Sequence, residues 1–211
     1  MPPRISIGPD VLPEAKSSKT GVSVRYAHDP EKAWYVFRAS YSREDKAFDY
    51  MVEDGTFPYI AKRLACMTVK GEKKNVLQPL IPNIIFAYTT YRKALEYTRH
   101  TPDLRFLHIY FNRLETKPDG TNPPLTIPHK EMRNFILATK EYNEHVMSVS
   151  PKQCHYKNND LVRVKEGAFK GVVGKVARVA GQQRVVLKLT EFGLFSTAYI
   201  PSAFIEKMDS P

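Results

Sequence analysis

From Asp160 to Leu189 the chain reads DLVRVKEGAFKGVVGKVARVAGQQRVVLKL, with apolar residues at about every second position and glycines at the breaks. That period belongs to strands, whose side chains alternate between two faces. Leu161, Val162 and Val164 form one run, Val172 to Val179 a second, and Val185, Val186 and Leu187 a third. β-Branched residues dominate all three and glycine interrupts any helix, so the segment is predicted to be β in the free protein. Gly167 and Gly171 fall where a strand must turn sharply, a position that favours a residue tolerating positive φ. Five or six short strands over about 50 residues predict a small closed barrel, which leaves no exposed strand edge.

Upstream the pattern changes. Trp34 to Tyr41 is a strand by β-propensity, and Ser42 with Asp45 predicts a capping box before a helix carrying Ala47, Phe48, Met51 and Val52. Extended arms over 57–70 and 73–78 turn at Lys70–Lys73, and a strand follows over 84–89. A short helix is predicted over 92–99 and a strand over 104–111. A polar loop spans 113–124 around Pro118-Asp119-Gly120. Pro128 suits a first helical position, and Met132, Phe135, Ile136 and Thr139 then recur at helical spacing. The organisation expected is an irregular tail (1–31), an α+β domain (32–139), a polar linker (140–158) and the small β-domain (159–208).

Composition narrows the partner. A net charge of +10 and a pI near 9.5 point to a polyanion such as DNA, RNA or a ribonucleoprotein, the alternative being solubility alone. Cys66 and Cys154 are far apart and outside any CxxC pair, and the six histidines show no ligand spacing, so neither a metal nor another cofactor is expected. No apolar run is long enough to span a membrane and no leader is evident, so a cytoplasmic protein is expected. The phosphate-loop reading of the glycines fails, because Gly174-Lys175 is followed by Val176 and preceded five positions earlier by Phe169. No nucleophile–base arrangement can be argued from order, so an enzyme is not expected.

The run around Val162, Val164, Gly167, Phe169 and Gly171 resembles the KOW motif of ribosomal proteins and NusG-type factors. Further segments resemble the NusG family in order: Trp34-Tyr35-Val36 with Ser42-Arg43-Glu44, the proline-interrupted strand Leu77 to Phe86, Thr101-Pro102-Asp103-Leu104, and Leu125-Thr126-Ile127-Pro128. The resemblance spans about residues 33 to 208. It implies an α+β NusG-like N-terminal domain joined to an SH3-like KOW β-barrel. Asn83 stands where the housekeeping factor carries glycine, as in RfaH, and Ile81 and Ile84 replace aromatic residues. The long tail and the 113–124 loop also exceed the compact pattern. Together these point to a specialised factor similar to the RfaH or UpxY-type proteins of polysaccharide operons.

What the resemblance implies is an elongation or antitermination factor that binds RNA polymerase and suppresses pausing or termination. The alternatives are a housekeeping NusG-like factor and a KOW-containing ribosomal or RNA-binding protein. Strand alternation puts Ile84 and Phe86 on one face; with Ile81 and Pro82 they are the residues expected to grip the β′ clamp helices, the domain bridging to the opposite lobe. The bland reading of that face is sheet core. Arg38, Tyr41, Arg43 and Lys46, at a strand end and first helical turn, are expected to contact the non-template DNA strand through phosphate attraction and stacking, or else form a solvated surface. Lys70, Lys73 and Lys74 could reach upstream DNA. Phe192, Gly193 and Leu194 match the loop by which family members bind a small-subunit ribosomal protein or Rho.

Overall fold

The structure is a computed structural model that describes residues 28–69, 72–141 and 144–208. The expected irregular tail therefore lies mostly outside the described residues.

Strand β1 (Ala33–Ala39) is apolar at nearly every position because both of its faces are covered. It pairs antiparallel with β5 (Ile84–Thr89), and β2 (Phe57–Tyr59) extends the sheet beyond β5. On the other edge of β1 lie β6 (Leu107–Ile109) and β7 (Thr126–Ile127). Helices α1 (Glu44–Glu53) and α2 (Tyr91–Arg99) cover the face bearing Tyr35, Phe37, Ile85 and Ala87. Helix α3 (His129–Thr139) covers the other face, where Trp34, Val36, Ile84, Phe86 and Tyr88 point. The hairpin of β3 (Lys62–Val69) and β4 (Glu72–Pro79) stands apart as its own two-stranded sheet.

The second unit is built from β8 (Met147–Val149), β9 (His155–Val164), β10 (Val173–Val179), β11 (Gln182–Leu189), β12 (Gly193–Tyr199) and β13 (Ile205–Lys207). They form one antiparallel sheet in the order β13-β9-β10-β11-β12-β8. The predicted β character holds, but the strand pairing is open and the closed barrel is not found among the described residues. Alternation specifies strands and faces; it does not specify which edges join. Here β8 occupies the outer edge of β12 through Leu194↔Val149, Phe195↔Ser148 and Ser196↔Met147. Both β8 and the first residues of β9 fall within the 140–158 stretch read as a linker. Arg184 fastens this segment, donating from Nη1 to the carbonyls of His145 (3.2 Å) and Thr197 (3.0 Å).

Two local expectations differ. The predicted Ser42 capping box is absent: Arg43 is the N-cap and no side chain caps the helix. Tyr41 (φ 62°) and Ser42 (φ 52°) instead form a left-handed bend, and the Ser42 amide donates to Asn83 Oδ1 at 2.9 Å. Pro128 precedes the first turn of α3 instead of opening it. Gly167 and Gly171 have the positive φ expected, 79° and 89°. Gly174 is required for a different reason, because a Cβ there would stand 2.4 Å from the Val186 carbonyl oxygen.

Candidate functional site

The predicted polymerase face is present as a surface of the first sheet, but it is covered. Ile84 and Phe86 do share one face of β5, and they are 5 % and 1 % exposed. The expectation of an exposed patch is corrected here: the second unit lies on it. Phe86 meets Phe192 edge to face at 5.5 Å and Phe135 at 5.9 Å, and Phe135 packs on Phe195 at 4.7 Å. Tyr110 touches Phe192 from the other side at 6.2 Å. Aromatic pairs at these separations each contribute about 0.5–1.5 kcal/mol beyond area burial. Ile81 is partly buried against the same cluster, and Pro82 alone of the four is exposed.

Helix α3 makes the contact directional. The Glu131 carboxylate accepts from the Thr190 amide at 2.6 Å and from the Thr190 hydroxyl at 2.7 Å. One turn on, the Asn134 carboxamide accepts from the Val173 amide at 2.7 Å and donates to the Val173 carbonyl. These side chains end the backbone ladder of β10 and the loop after β11 as another strand would. The sequence stripe Met132, Phe135, Ile136 and Thr139 is buried as predicted, and Leu137 and Ala138 are buried as well. A helix facing one sheet needs one stripe; α3 is sandwiched between two units and buries more. Glu131 and Asn134 were missed at the sequence level, since polar residues on a helix flanking its apolar stripe read as solvent-facing.

Of the predicted partner loop of the second unit, Phe192 is the residue that the first unit covers, and only in part. Phe192 lies against Phe86 and Tyr110, and Gly193 pairs with Leu189. Leu194 pairs with Val149 of β8 and joins a small outer core with Val186 and Cys154. Phe86 and Phe192 thus cover each other, while Leu194 is covered from within the second unit.

The predicted DNA-contacting residues divide into two places. Tyr41 is 85 % exposed, thrust outward by the left-handed bend. The Arg43 guanidinium stands 5.5 Å from the Tyr41 ring centre and 5.3 Å from that of Phe106, and Lys46 Nζ is 5.8 Å from Phe106. Tyr41, Arg43 and Lys46 therefore form one exposed cationic–aromatic platform around a buried phenyl ring, each cation–π contact worth about 0.5–1 kcal/mol at such a site. Arg38 is not part of it. Its partner across the sheet is Ile84, on the face that α3 and the second unit cover, so alternation along β1 separates it from the platform. On the β3–β4 hairpin Lys73 and Lys74 are exposed, with Lys74 paired to Glu72 at 3.1 Å, while Lys70 lies outside the described residues.

Among the described residues no group of three or more His, Cys, Asp or Glu side chains could hold a metal ion, and no helix is long and apolar enough to cross a membrane. Residues 32–136 match the family described as "Transcription termination factor nusG". The chain is similar to the solved structure described as "Domain interaction in Thermotoga maritima NusG", with 16% identity, a TM-score of 0.40, and coverage of 84% of this chain and 98% of that chain. No curated protein matches it.

Proposed function

Because residues 32–136 form a NusG-family domain, we propose that this protein is a transcription elongation factor that binds RNA polymerase and acts on pausing or termination. The family match carries the reading; NusG proteins are non-enzymatic factors that bind the polymerase. The face formed by Ile81, Pro82, Ile84 and Phe86 is the surface proposed for the β′ clamp helices, with the bridge to the opposite lobe opposing clamp opening. Binding need only favour one clamp state over another, since a ligand shifts an equilibrium by its differential affinity. The Tyr41–Arg43–Lys46 platform is proposed for the displaced non-template strand, and Phe192 to Leu194 for a small-subunit ribosomal protein or Rho. Antitermination restricted to polysaccharide-type operons is the finer form of this reading, and its support is the set of sequence departures at Asn83, Ile81 and Ile84.

The covered aromatic cluster adds a mechanism. With Phe86 under Phe192, polymerase and the second unit compete for one surface, so engagement requires the second unit to leave. The test is capture of core RNA polymerase by the full chain and by a Glu131→Ala/Asn134→Ala variant, followed by pause-escape measurements on a defined template. Binding by the variant with altered pause lifetimes is expected. An opened variant that neither binds polymerase nor changes pausing would overturn the proposal.

A further inference from the structure

The hairpin of β3 and β4 forms a two-stranded sheet of its own, and such a hairpin is marginally stable in water until further strands or a helix join it. Its apolar side chains stay in solvent. Leu64, Met67 and Leu77 are 41%, 43% and 49% exposed, with Leu64 and Leu77 directly opposite each other. The two edges of the hairpin differ. β4 carries Glu72, Lys73, Lys74 and Pro79, and charge and proline are the means by which natural sheets keep an edge from pairing. β3 runs Leu64-Ala65-Cys66-Met67-Thr68-Val69 without a charge, a proline or a glycine. Val69 pairs with Glu72 across a two-residue connection, which makes them a hydrogen-bonded pair. Alternation along β3 then turns the backbone N–H and C=O groups of Leu64, Cys66 and Thr68 away from β4. Among the described residues, no backbone bond from another element reaches them.

We infer that a second copy of this chain pairs along this edge, β3 against β3 and antiparallel about a two-fold axis, to make a four-stranded sheet with β4 of each copy on the outside. An uncharged apolar edge is matched by a strand uncharged over the same length, and β3 offers that to itself. The run Leu64 to Thr68 is centred on Cys66, so pairing it with itself sets Cys66 opposite the second copy's Cys66. Leu64 then meets the second copy's Thr68, and every outward backbone group of the run gains a partner. On the other face Ala65 lies opposite the second copy's Met67. Charge selects this edge over the alternative. Through β3 the two β4 strands stand three strand spacings apart, about 14 Å, beyond the ~8 Å over which exposed charges act at physiological salt. Through β4 the Lys73 and Lys74 side chains of both copies would crowd together. A self-complementary patch closed by a two-fold axis is the commonest form of protein association. The pairing uses no residue of the Phe86–Phe192 contact and does not rest on the proposed function.

The test is sedimentation velocity on the full chain over a concentration series, in which the mass should rise from 24.2 kDa towards twice that value. Proline separates the edges, because it removes a backbone donor and is tolerated where that donor points away from the sheet. Cys66→Pro keeps the ladder to β4 but removes the two symmetry-related bonds at the axis, and should raise the dimer dissociation constant by about tenfold or more. Asn75→Pro, at the outward position opposite Cys66 on β4, should leave the dimer as it is. A short bismaleimide on the wild-type chain gives a readout that needs no variant to fold: Cys66 is exposed and Cys154 buried, so the cross-linked dimer should form through Cys66 and vanish in Cys66→Ser. A chain that stays at monomer mass up to its solubility limit would overturn the proposal. So would a dimer that Asn75→Pro dissociates as readily as Cys66→Pro, or one in which Cys66 does not cross-link.

Discussion

Truncating the two polar clamps of α3, Glu131→Ala with Asn134→Ala, should separate the two units without unfolding either. Four hydrogen bonds are lost, two to a carboxylate and two to a carboxamide. Bonds to a charged acceptor contribute about 1.5–3 kcal/mol net and neutral ones about 0.5–1.5. The low ends apply, because all four groups are only part-buried and regain water when the units part. Allowing for coupling within one helix, the loss is about 3 kcal/mol. At 1.4 kcal/mol per tenfold, the docked-to-open ratio falls by about two orders of magnitude. The helix itself should not suffer, since alanine is the best helix former. Small-angle scattering should show a larger radius of gyration. Apparent polymerase affinity should rise by up to the same factor if the docked form predominates, because apparent affinity scales with the competent fraction. An unchanged radius together with unchanged affinity would refute the reasoning, and would mean that the aromatic cluster alone holds the units together.

Gly174→Ala should destabilise the second sheet by more than about 2 kcal/mol in urea unfolding, since the new methyl meets the Val186 carbonyl at 2.4 Å and backbone cannot yield cheaply. Tyr41→Ala should cost no more than the Arg43 contact, about 0.5–1 kcal/mol, the ring being 85% exposed, yet weaken single-stranded DNA binding by about 1–3 kcal/mol if the ring stacks on a base. Burial works to raise the Asp54 carboxyl, but hydrogen bonds from Lys93 and Tyr97 and the Lys93 charge prevail and hold it below its ordinary value. A depressed folded value contributes stability above the unfolded pKa that is lost as pH falls through the folded one. Asp54→Asn should therefore cost at most about 1 kcal/mol at neutral pH, this ion pair being substantially solvated, and nothing at a pH below the folded value; an equal cost at both pH values would contradict the assignment.

The strands and the faces of β1, β5 and β9 to β12 were legible because alternation is a local property of the chain. So was α3, whose stripe at Met132, Phe135, Ile136 and Thr139 is a strong helical period. What covers each face was not legible. Ile84 and Phe86 read as an exposed patch because nothing local to β5 announces a second unit folding back on it. Glu131 and Asn134 carried no signal at all, since their partners Thr190 and Val173 lie 59 and 39 residues away. The left-handed bend at Tyr41 and Ser42 was hidden for a similar reason: it depends on Asn83, across the sheet. The open strand order of the second sheet likewise hinges on β8, within a stretch too short and polar to read as a strand.

The contact of Phe86 with Phe192 has a thermodynamic consequence for the two partner surfaces proposed above. Phe86 on the first unit is buried and Phe192 on the second is half-buried, each against the other, so the surface they share cannot be engaged while the units are docked. If the Phe86 face binds polymerase as proposed, a ligand that engages Phe192 must raise the apparent affinity for polymerase, and polymerase must raise affinity for that ligand by the same factor, because coupling free energies are reciprocal. The factor cannot exceed the docked-to-open ratio. In the Glu131→Ala/Asn134→Ala variant, already open, the coupling should shrink towards unity while both affinities rise. Titrating each ligand in the presence and absence of the other, on wild type and variant, measures all four quantities. Coupling that persists undiminished in the variant would show that the two faces communicate by some route other than covering one another.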